Sequence, residues 1–289
     1  MKKTSILFLA ALMACTGCNK GLDNRSLNIT VEAGIGTMTK VEYNGDKASF
    51  VSGDKISVYA WTGSATTVGT PLVVNGVTNT FDGSQWTPAS QMLWDDDSSQ
   101  HYFLGICPER EVTDFTADAY TLDPAQYAAS DLMIATNLTG LVSSNTPVAL
   151  NFTHVLARLD VHLTFRTQWA TEPAVTAVTA TAKKTATVDY LAKELTATGT
   201  AAPVALNASA NNAWSGLQVP QTGVNTLTVT IGGKNYVFTH TADIPLVAGK
   251  FTTVNLAVGR DKIELADVIT ISDWTSQGGE IGGDALEEE

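Results

Sequence analysis

Residues 150–165, LNFTHVLARLDVHLTF, carry the clearest secondary-structure signal in the chain. In their second half, Leu159, Val161 and Leu163 alternate with Asp160 and His162. Successive side chains of a β-strand point to opposite faces, so this period of two predicts a strand with one buried and one solvated face. The stretch therefore favours a β protein.

The same alternation recurs on both sides of this strand, in KISVYAW (55–61), TLTVTI (226–231), FTTVNLAV (251–258) and DVITISDW (267–274). Residues suited to tight turns separate such segments, namely Asn44-Gly45, Ser52-Gly53-Asp54, Asp82-Gly83, Gly232-Gly233 and Ala248-Gly249. Only 16% of the residues are charged and threonine is abundant, which also favours pleated strands. We predict an all-β, antiparallel sandwich architecture with a turn of helix around residues 124–133 and no fixed-period repeat.

Chain length and a change of composition predict two domains. The 289 residues exceed one domain of ordinary size. The strand that ends at Phe165 gives way to the polar sequence RTQWATEP, so the boundary is predicted between residues 167 and 168. The predicted β-sandwich domains are 41–167 and 168–289, the second with an acidic, Gly-rich tail, and residues 18–40 form a tether that contains a removable strand.

The first eighteen residues, MKKTSILFLAALMACTGC, have the pattern of a signal peptide that ends at a lipid-accepting cysteine. Two lysines precede an apolar run far shorter than the roughly 20 residues of a membrane span. We predict that residues 1–17 are removed and that Cys18 is acylated, with Cys15 as the alternative. An ordinary secreted protein with incidental cysteines is the other interpretation.

Composition limits the possible partners and sites. The 29 acidic and 17 basic residues give a net charge of −12, which argues against nucleic-acid binding. Outside the leader the only cysteine is Cys107. An intramolecular disulfide is therefore excluded unless Cys15 or Cys18 stays unmodified, and a cysteine-built zinc site is excluded outright.

No catalytic or metal-binding constellation can be assembled from the sequence. His154 and His162 read as parts of one strand, on the same face but about 26 Å apart, too far to share an ion. The aspartates at 95–97 lack the glycine turn and the twelfth-position glutamate of an EF-hand. Nucleophile-elbow, phosphate-loop and dinucleotide motifs are absent. We therefore predict no enzyme activity, no cofactor and no metal.

Several motifs follow one another in an order that resembles fimbrillins, the type V pilus subunits and related lipoproteins of anaerobic Gram-negative bacteria. They are MTKVEYNG (38–45), FVSGDKISVYAW (50–61), HYFLGICPER (101–110), DLMIA (131–135), LQVPQTG (217–223), GKFTTVNLAV (249–258) and ITISDW (269–274). The strongest segment is FTHVLARL, in which Phe152, His154, Ala157 and Leu159 resemble the family's Phe-x-His-x-x-Ala-x-Leu strand. The resemblance spans nearly the whole chain after the leader.

This resemblance implies two tandem transthyretin-like, Greek-key sandwiches and an outer-membrane lipoprotein that joins a cell-surface fimbria and mediates adhesion. It also implies assembly by strand addition, after a protease removes an N-terminal strand and opens a groove for another subunit's C-terminal strand. The candidate cleavage positions are Arg25 and Lys40, and the candidate donor strand contains Ile269, Ile271 and Trp274. Because glycines and acids dominate the C-terminal tail, an accessory, tip or anchor subunit is favoured over a shaft subunit.

Two further interpretations lie outside fimbrial assembly. A surface lipoprotein that binds host or bacterial glycans beside an uptake system would need exposed tryptophans on one face, drawn from positions 61, 86, 94, 169, 214 and 274. A secreted hydrolase would need paired carboxylates, or a nucleophile with a base, in one cleft.

Overall fold

The computed structural model describes residues 28–36, 49–210 and 212–274, which contain nineteen strands and one short helix. The elements of the first half are β1 (Val31–Ile35), β2 (Lys55–Thr62), β3 (Val74–Phe81), β4 (Trp86–Pro88), β5 (His101–Cys107), β6 (Asp118–Thr121), α1 (Tyr127–Ser130), β7 (Met133–Leu141) and β8 (Val148–His154). Those of the second half are β9 (Ala157–Phe165), β10 (Val175–Ala182), β11 (Thr185–Asp189), β12 (Glu194–Thr198), β13 (Ala202–Ala210), β14 (Ala213–Gln218), β15 (Thr226–Ile231), β16 (Lys234–Thr239), β17 (Lys250–Val258), β18 (Ile263–Leu265) and β19 (Thr270–Asp273). The predicted all-β class is confirmed, and α1 lies where a turn of helix was expected.

The strands form two large sheets and one small sheet. The seven-stranded sheet has the order β1-β8-β7-β5-β2-β3-β4. The nine-stranded sheet has the order β16-β15-β10-β13-β14-β9-β17-β18, with β19 also paired to β17. The third sheet, β12-β11-β6, joins a hairpin from the second half of the chain to a strand from the first half.

Two strand pairs differ from the predicted antiparallel arrangement. β1 runs parallel to β8, and β17 runs parallel to β9. Parallel neighbours need a long crossover connection, and in both cases many residues and several strands separate the two partners. Alternation within a strand cannot reveal this, because side-chain period is the same in parallel and antiparallel sheets.

The chain passes from one large sheet to the other at residues 155–156. His154 ends β8 in the seven-stranded sheet, whereas His162 lies in β9 of the nine-stranded sheet. The prediction that both histidines share one strand is therefore wrong. Val155 and Leu156 are both buried, so the period of two is interrupted between the two strands. The change of sheet comes one strand before the predicted boundary at 167/168, and a domain division at 167/168 stays a prediction.

β2 and β5 are buried on both faces, because apolar clusters cover both sides of the seven-stranded sheet. Ile56 and Val58 of β2 belong to a smaller cluster formed within this half of the chain. Tyr59 and Trp61 of the same strand belong to a larger cluster that includes Val161 and many other residues of the nine-stranded sheet. The two large sheets therefore share a hydrophobic core.

Candidate functional site

The N-terminal strand β1 lies at an edge of the seven-stranded sheet. Its register with β8 pairs Val31 with Val148 and Ile35 with Phe152. The flanking backbone continues the ladder, since the Gly36 N–H donates to the Phe152 carbonyl at 2.8 Å. β1 thus satisfies backbone groups of β8 that would otherwise form an open sheet edge.

The residues just before β1 are hydrogen-bonded to the loop that follows β4. Asn28 forms an isolated bridge with Leu93, and the Ile29 N–H donates to the Met92 carbonyl at 2.9 Å. The Gln91 side-chain amide also donates to the Asn28 side-chain oxygen at 2.6 Å. Residues 28–35 therefore run from the loop after β4 to the edge strand β8, and we call this segment the N-terminal strap.

The strap covers an apolar cleft. Ile29, Val31 and Ile35 are buried members of the smaller cluster, which also contains Phe103 and Phe152. Burying such a side chain fully is worth about 1.5–3 kcal/mol. Removing the strap would therefore expose both a row of unpaired β8 backbone groups and the apolar side chains beneath it.

The C-terminal strand β19 lies at an edge of the nine-stranded sheet. Its partner is the β17 segment 250–253, in an antiparallel register. The candidate donor residues face different surroundings: Ile269 and Trp274 pack against the larger cluster, whereas Ile271 is 43% exposed. Which strand this chain would donate to another subunit stays a prediction.

His154 forms a buried polar site under this C-terminal strand. Its Nδ1 atom lies 2.8 Å from Oδ1 of Asp131, and both side chains are at most 3% exposed. The imidazole stacks on the indole of Trp274, with ring centroids 4.2 Å apart and an interplanar angle of 1°. The site therefore joins the end of β8, the residue before β7 and the C-terminal strand.

A second polar group links the three-stranded sheet to the rest of the molecule. A guanidinium nitrogen of Arg110 lies 2.9 Å from Asp118 of β6, and the Tyr190 hydroxyl donates to the same carboxylate at 2.7 Å. Burial is the main reason that the pKa of Tyr190 is raised above its ordinary value. Burial, followed by the charge of Asp131, likewise raises the pKa of Tyr120.

The other polar side chains considered, Asp96 and His101, are hydrogen-bonded to residues nearby in the chain. Asp96 accepts hydrogen bonds from Ser98 and Ser99, which hold the pKa of its carboxyl below the ordinary range. His101 is fully buried, where its Nε2 accepts from the Asp95 N–H at 3.1 Å. Within residues 28–36, 49–210 and 212–274, no group of three or more histidine, cysteine or carboxylate side chains is placed to hold a metal ion.

The tryptophans are distributed through the core. Trp61, Trp86 and Trp94 are buried, and the other three pack partly buried against the larger cluster. A sugar-stacking platform needs exposed aromatic faces on one surface, so this distribution does not favour glycan binding.

The predicted lipidation and cleavage positions, Cys15, Cys18, Arg25 and Lys40, lie outside the described residues. Among the residues that are described, no helix has the length and apolar character needed to span a membrane.

Comparison with known proteins identifies the family. The sequence matches the fimbrillin-like family over residues 39–274, most of the chain. The chain therefore belongs to the fimbrillin-like family, as its motifs indicated. A search of curated proteins gave no match.

Solved structures of similar proteins share the fold. A protein from Bacteroides uniformis, described as a cell adhesion protein, aligns with a TM-score of 0.64 at 22% identity, over 86% of this chain and 98% of its own. A second such protein, from Bacteroides ovatus, gives a TM-score of 0.65 at 14% identity, over 86% and 97% of the two chains. A fimbrial protein from Bacteroides vulgatus gives 0.53 at 14% identity, over 86% and 100%. These likenesses extend over both large sheets.

Sequence reasoning missed Asp131 as the partner of His154. The signal was present in β8, where Val148, Leu150, Phe152 and His154 share the buried face. A polar side chain at a position of this apolar series needs a buried hydrogen-bond partner, but the sequence does not say which residue supplies it.

Proposed function

We propose that this protein is a structural subunit of a cell-surface fimbria and that it assembles by strand addition. The observation that carries the proposal is the N-terminal strap, a short edge segment that covers both unpaired backbone and an apolar cleft. Its loss would create a site that another strand can fill, with the ladder supplying affinity and the apolar pockets supplying specificity.

The position of the strap distinguishes the two candidate cleavage sites. Arg25 precedes residue 28, where the described strap begins, so cleavage after Arg25 leaves the strap attached. Lys40 follows Ile35, so cleavage after Lys40 separates the strap from the rest of the chain. We infer that maturation at or near Lys40, rather than at Arg25, would open the cleft.

We further propose that the subunit is exported as an outer-membrane lipoprotein acylated at Cys18, or alternatively at Cys15. Its partners would be other fimbrial subunits, with an accessory, tip or anchor role in adhesion. The exposed, short β19 and the glycine-rich, acidic sequence after it support this role over that of an efficient shaft subunit. The role is structural and requires no catalytic centre.

Site-specific cleavage tests the assembly proposal. A recognition sequence for a selective protease is placed at residues 37–40 in one variant and after Arg25 in another, and mass is followed by light scattering after cleavage. We expect the first variant to lose the strap and associate into short oligomers, and the second to stay monomeric. Persistent monomers after complete loss of the strap, both in the parent chain and in a chain that also carries Trp274→Ala, would refute strand addition.

Two controls accompany this experiment. A first-variant chain that also lacks residues 268–289 has the open cleft but no donor strand, and we expect it to stay unassembled. N-terminal mapping by mass spectrometry of membrane and sheared-filament fractions tests anchoring separately. An acylated cysteine in the membrane fraction supports the lipoprotein assignment, and an unmodified mature cysteine rejects it.

A further inference from the structure

The C-terminal strand β19 has little surface of its own that holds it to the molecule. Four residues pair with β17, in the register Lys250 with Asp273 through Thr253 with Thr270. Three of the four β19 side chains, Thr270, Ile271 and Asp273, are exposed. The ion pair of Lys250 with Asp273 is also at the surface, where such pairs contribute little. Strand pairing alone therefore leaves β19 weakly held.

Stronger contacts are made at the end of the strand, by Trp274. Its backbone N–H donates to the Gly249 carbonyl at 2.9 Å, and its indole lies flat on the imidazole of His154. Gly249 has a φ of +66°, and a Cβ atom there would lie 3.2 Å from the His154 carbonyl oxygen. Glycine at this position therefore lets the start of β17 and Trp274 approach the end of β8 closely.

The surface that receives Trp274 is buried and hydrogen-bonded. His154 is fixed by Asp131 at 2.8 Å, and both residues lie in the interior. The Gly249 N–H donates to the Leu156 carbonyl at 2.9 Å, which ties the same corner to the crossover between the two large sheets. We call His154, Asp131 and Gly249 the aromatic shelf.

We propose that the stack of Trp274 on the aromatic shelf is a latch that keeps β19 on its own chain and withholds it from a second copy. The inference rests on the proposed strand-exchange function and assigns its regulation to one contact. Because three of the four β19 side chains are exposed, opening this contact leaves the strand held only by its backbone pairing with β17 and by the partly buried Ile269. While this contact is closed, β19 of one chain cannot enter the open cleft of a second copy.

The docked position of Trp274 leaves one polar group without a hydrogen bond to any described residue. The Trp274 indole N–H is buried without a hydrogen-bond partner in the described part of the chain. An unpaired buried donor is disfavoured relative to one that meets water, so release of the strand recovers a hydrogen bond that the docked state lacks. Ring stacking therefore holds the strand, and the unpaired indole N–H makes its docking less favourable.

Hydrogen exchange of the full chain tests the latch directly. In Trp274→Ala, we expect the amides of residues 268–273 to exchange about tenfold faster or more, because local opening of the strand becomes easier. In Trp274→Phe, which retains an aromatic ring for stacking, we expect most of the protection to return. Ile271→Ala is the matched control on the same strand, and we expect exchange there within about threefold of the parent chain.

Two results would overturn the latch. One is an unchanged rate for residues 268–273 in Trp274→Ala. The other is an equal acceleration in β2 and β5, which would mean general destabilisation rather than release of one strand.

Mixing each variant with strap-cleaved protein then separates the latch from the proposed function. If Trp274→Ala assembles faster than Ile271→Ala, the withholding role is supported. If both variants assemble and do so at the same rate, that role is rejected. If no variant assembles although exchange shows β19 released, strand addition fails and the withholding role fails with it, while the exchange result still reports the opening of the contact.

Discussion

Tyr120 and Tyr190 are buried hydroxyls whose environment favours the neutral form. The Tyr190 hydroxyl donates to Asp118, and the Tyr120 hydroxyl donates to the Ser130 carbonyl at 2.5 Å. Ionising either ring would place a negative charge in the core beside a carboxylate and remove a donor, which is why both pKa values are raised.

Alkaline pH should therefore destabilise the fold through these two residues. Between the unfolded tyrosine pKa of about 10 and the raised folded values, the native state binds more protons than the unfolded state, so stability falls as pH rises. We expect the urea midpoint to decrease above about pH 10. Tyr120→Phe/Tyr190→Phe should show a shallower decrease over the same range, whereas an identical slope in parent and variant would contradict the assignment.

The central strand β5 shows how closely neighbouring elements pack. A Cβ atom on Gly105 would lie 2.7 Å from Cζ of Phe152 and 3.2 Å from Cδ1 of Leu150. Phe152 is fully buried and packs edge-on against Phe50, so its ring has little room to move. Glycine at 105 is thus required by the approach of β8 side chains rather than by a turn.

Gly105→Ala should destabilise the protein by about 1–3 kcal/mol through overpacking, measured by urea denaturation. Phe152→Leu, which costs stability by itself, should be partly compensated when combined with Gly105→Ala, because the smaller side chain leaves space for the new methyl group. A double-mutant cycle measures this coupling. Strictly additive effects would show that the two positions do not compete for space.

The shared core determines how the whole molecule unfolds. Tyr59 and Trp61 of the seven-stranded sheet belong to the same buried cluster as Val161 and Val229 of the nine-stranded sheet. The Asp118 carboxylate, bound by Arg110 and Tyr190, adds a polar connection between early and late parts of the chain. Neither large sheet can be removed without exposing apolar surface on the other.

We expect one cooperative transition rather than two. Pulse-labelling hydrogen exchange in increasing urea should give the same midpoint for peptides of β2 and β15, which lie in different large sheets. As a control, peptides of β19 should lose protection at lower urea, because that strand opens locally. Two separate midpoints for β2 and β15 would instead favour independent domains, with a division such as the predicted one at 167/168.

Local pattern in the sequence was sufficient for the fold class and for several of the strands. The alternation in residues 226–231 and 251–258 marks β15 and β17, because burial of one sheet face imposes a period of two on the side chains. Residues 55–61 also form a strand, β2, although it is buried on both faces. Gly53, Gly83 and Gly249 adopt positive φ at predicted turns, where residues without a Cβ are favoured. The ordered motifs also identified the fimbrillin-like family.

Only the tertiary structure decided which distant segments meet. The parallel pairs β1–β8 and β9–β17, the change of sheet at 155–156, and the burial of β2 on both faces depend on long-range contacts that leave no local period. The same holds for the contact of Trp274 with the aromatic shelf, because Asp131, His154 and Trp274 come from separate stretches of the chain. Sequence alternation reports that a side chain is buried, whereas chain topology determines which residue it is buried against.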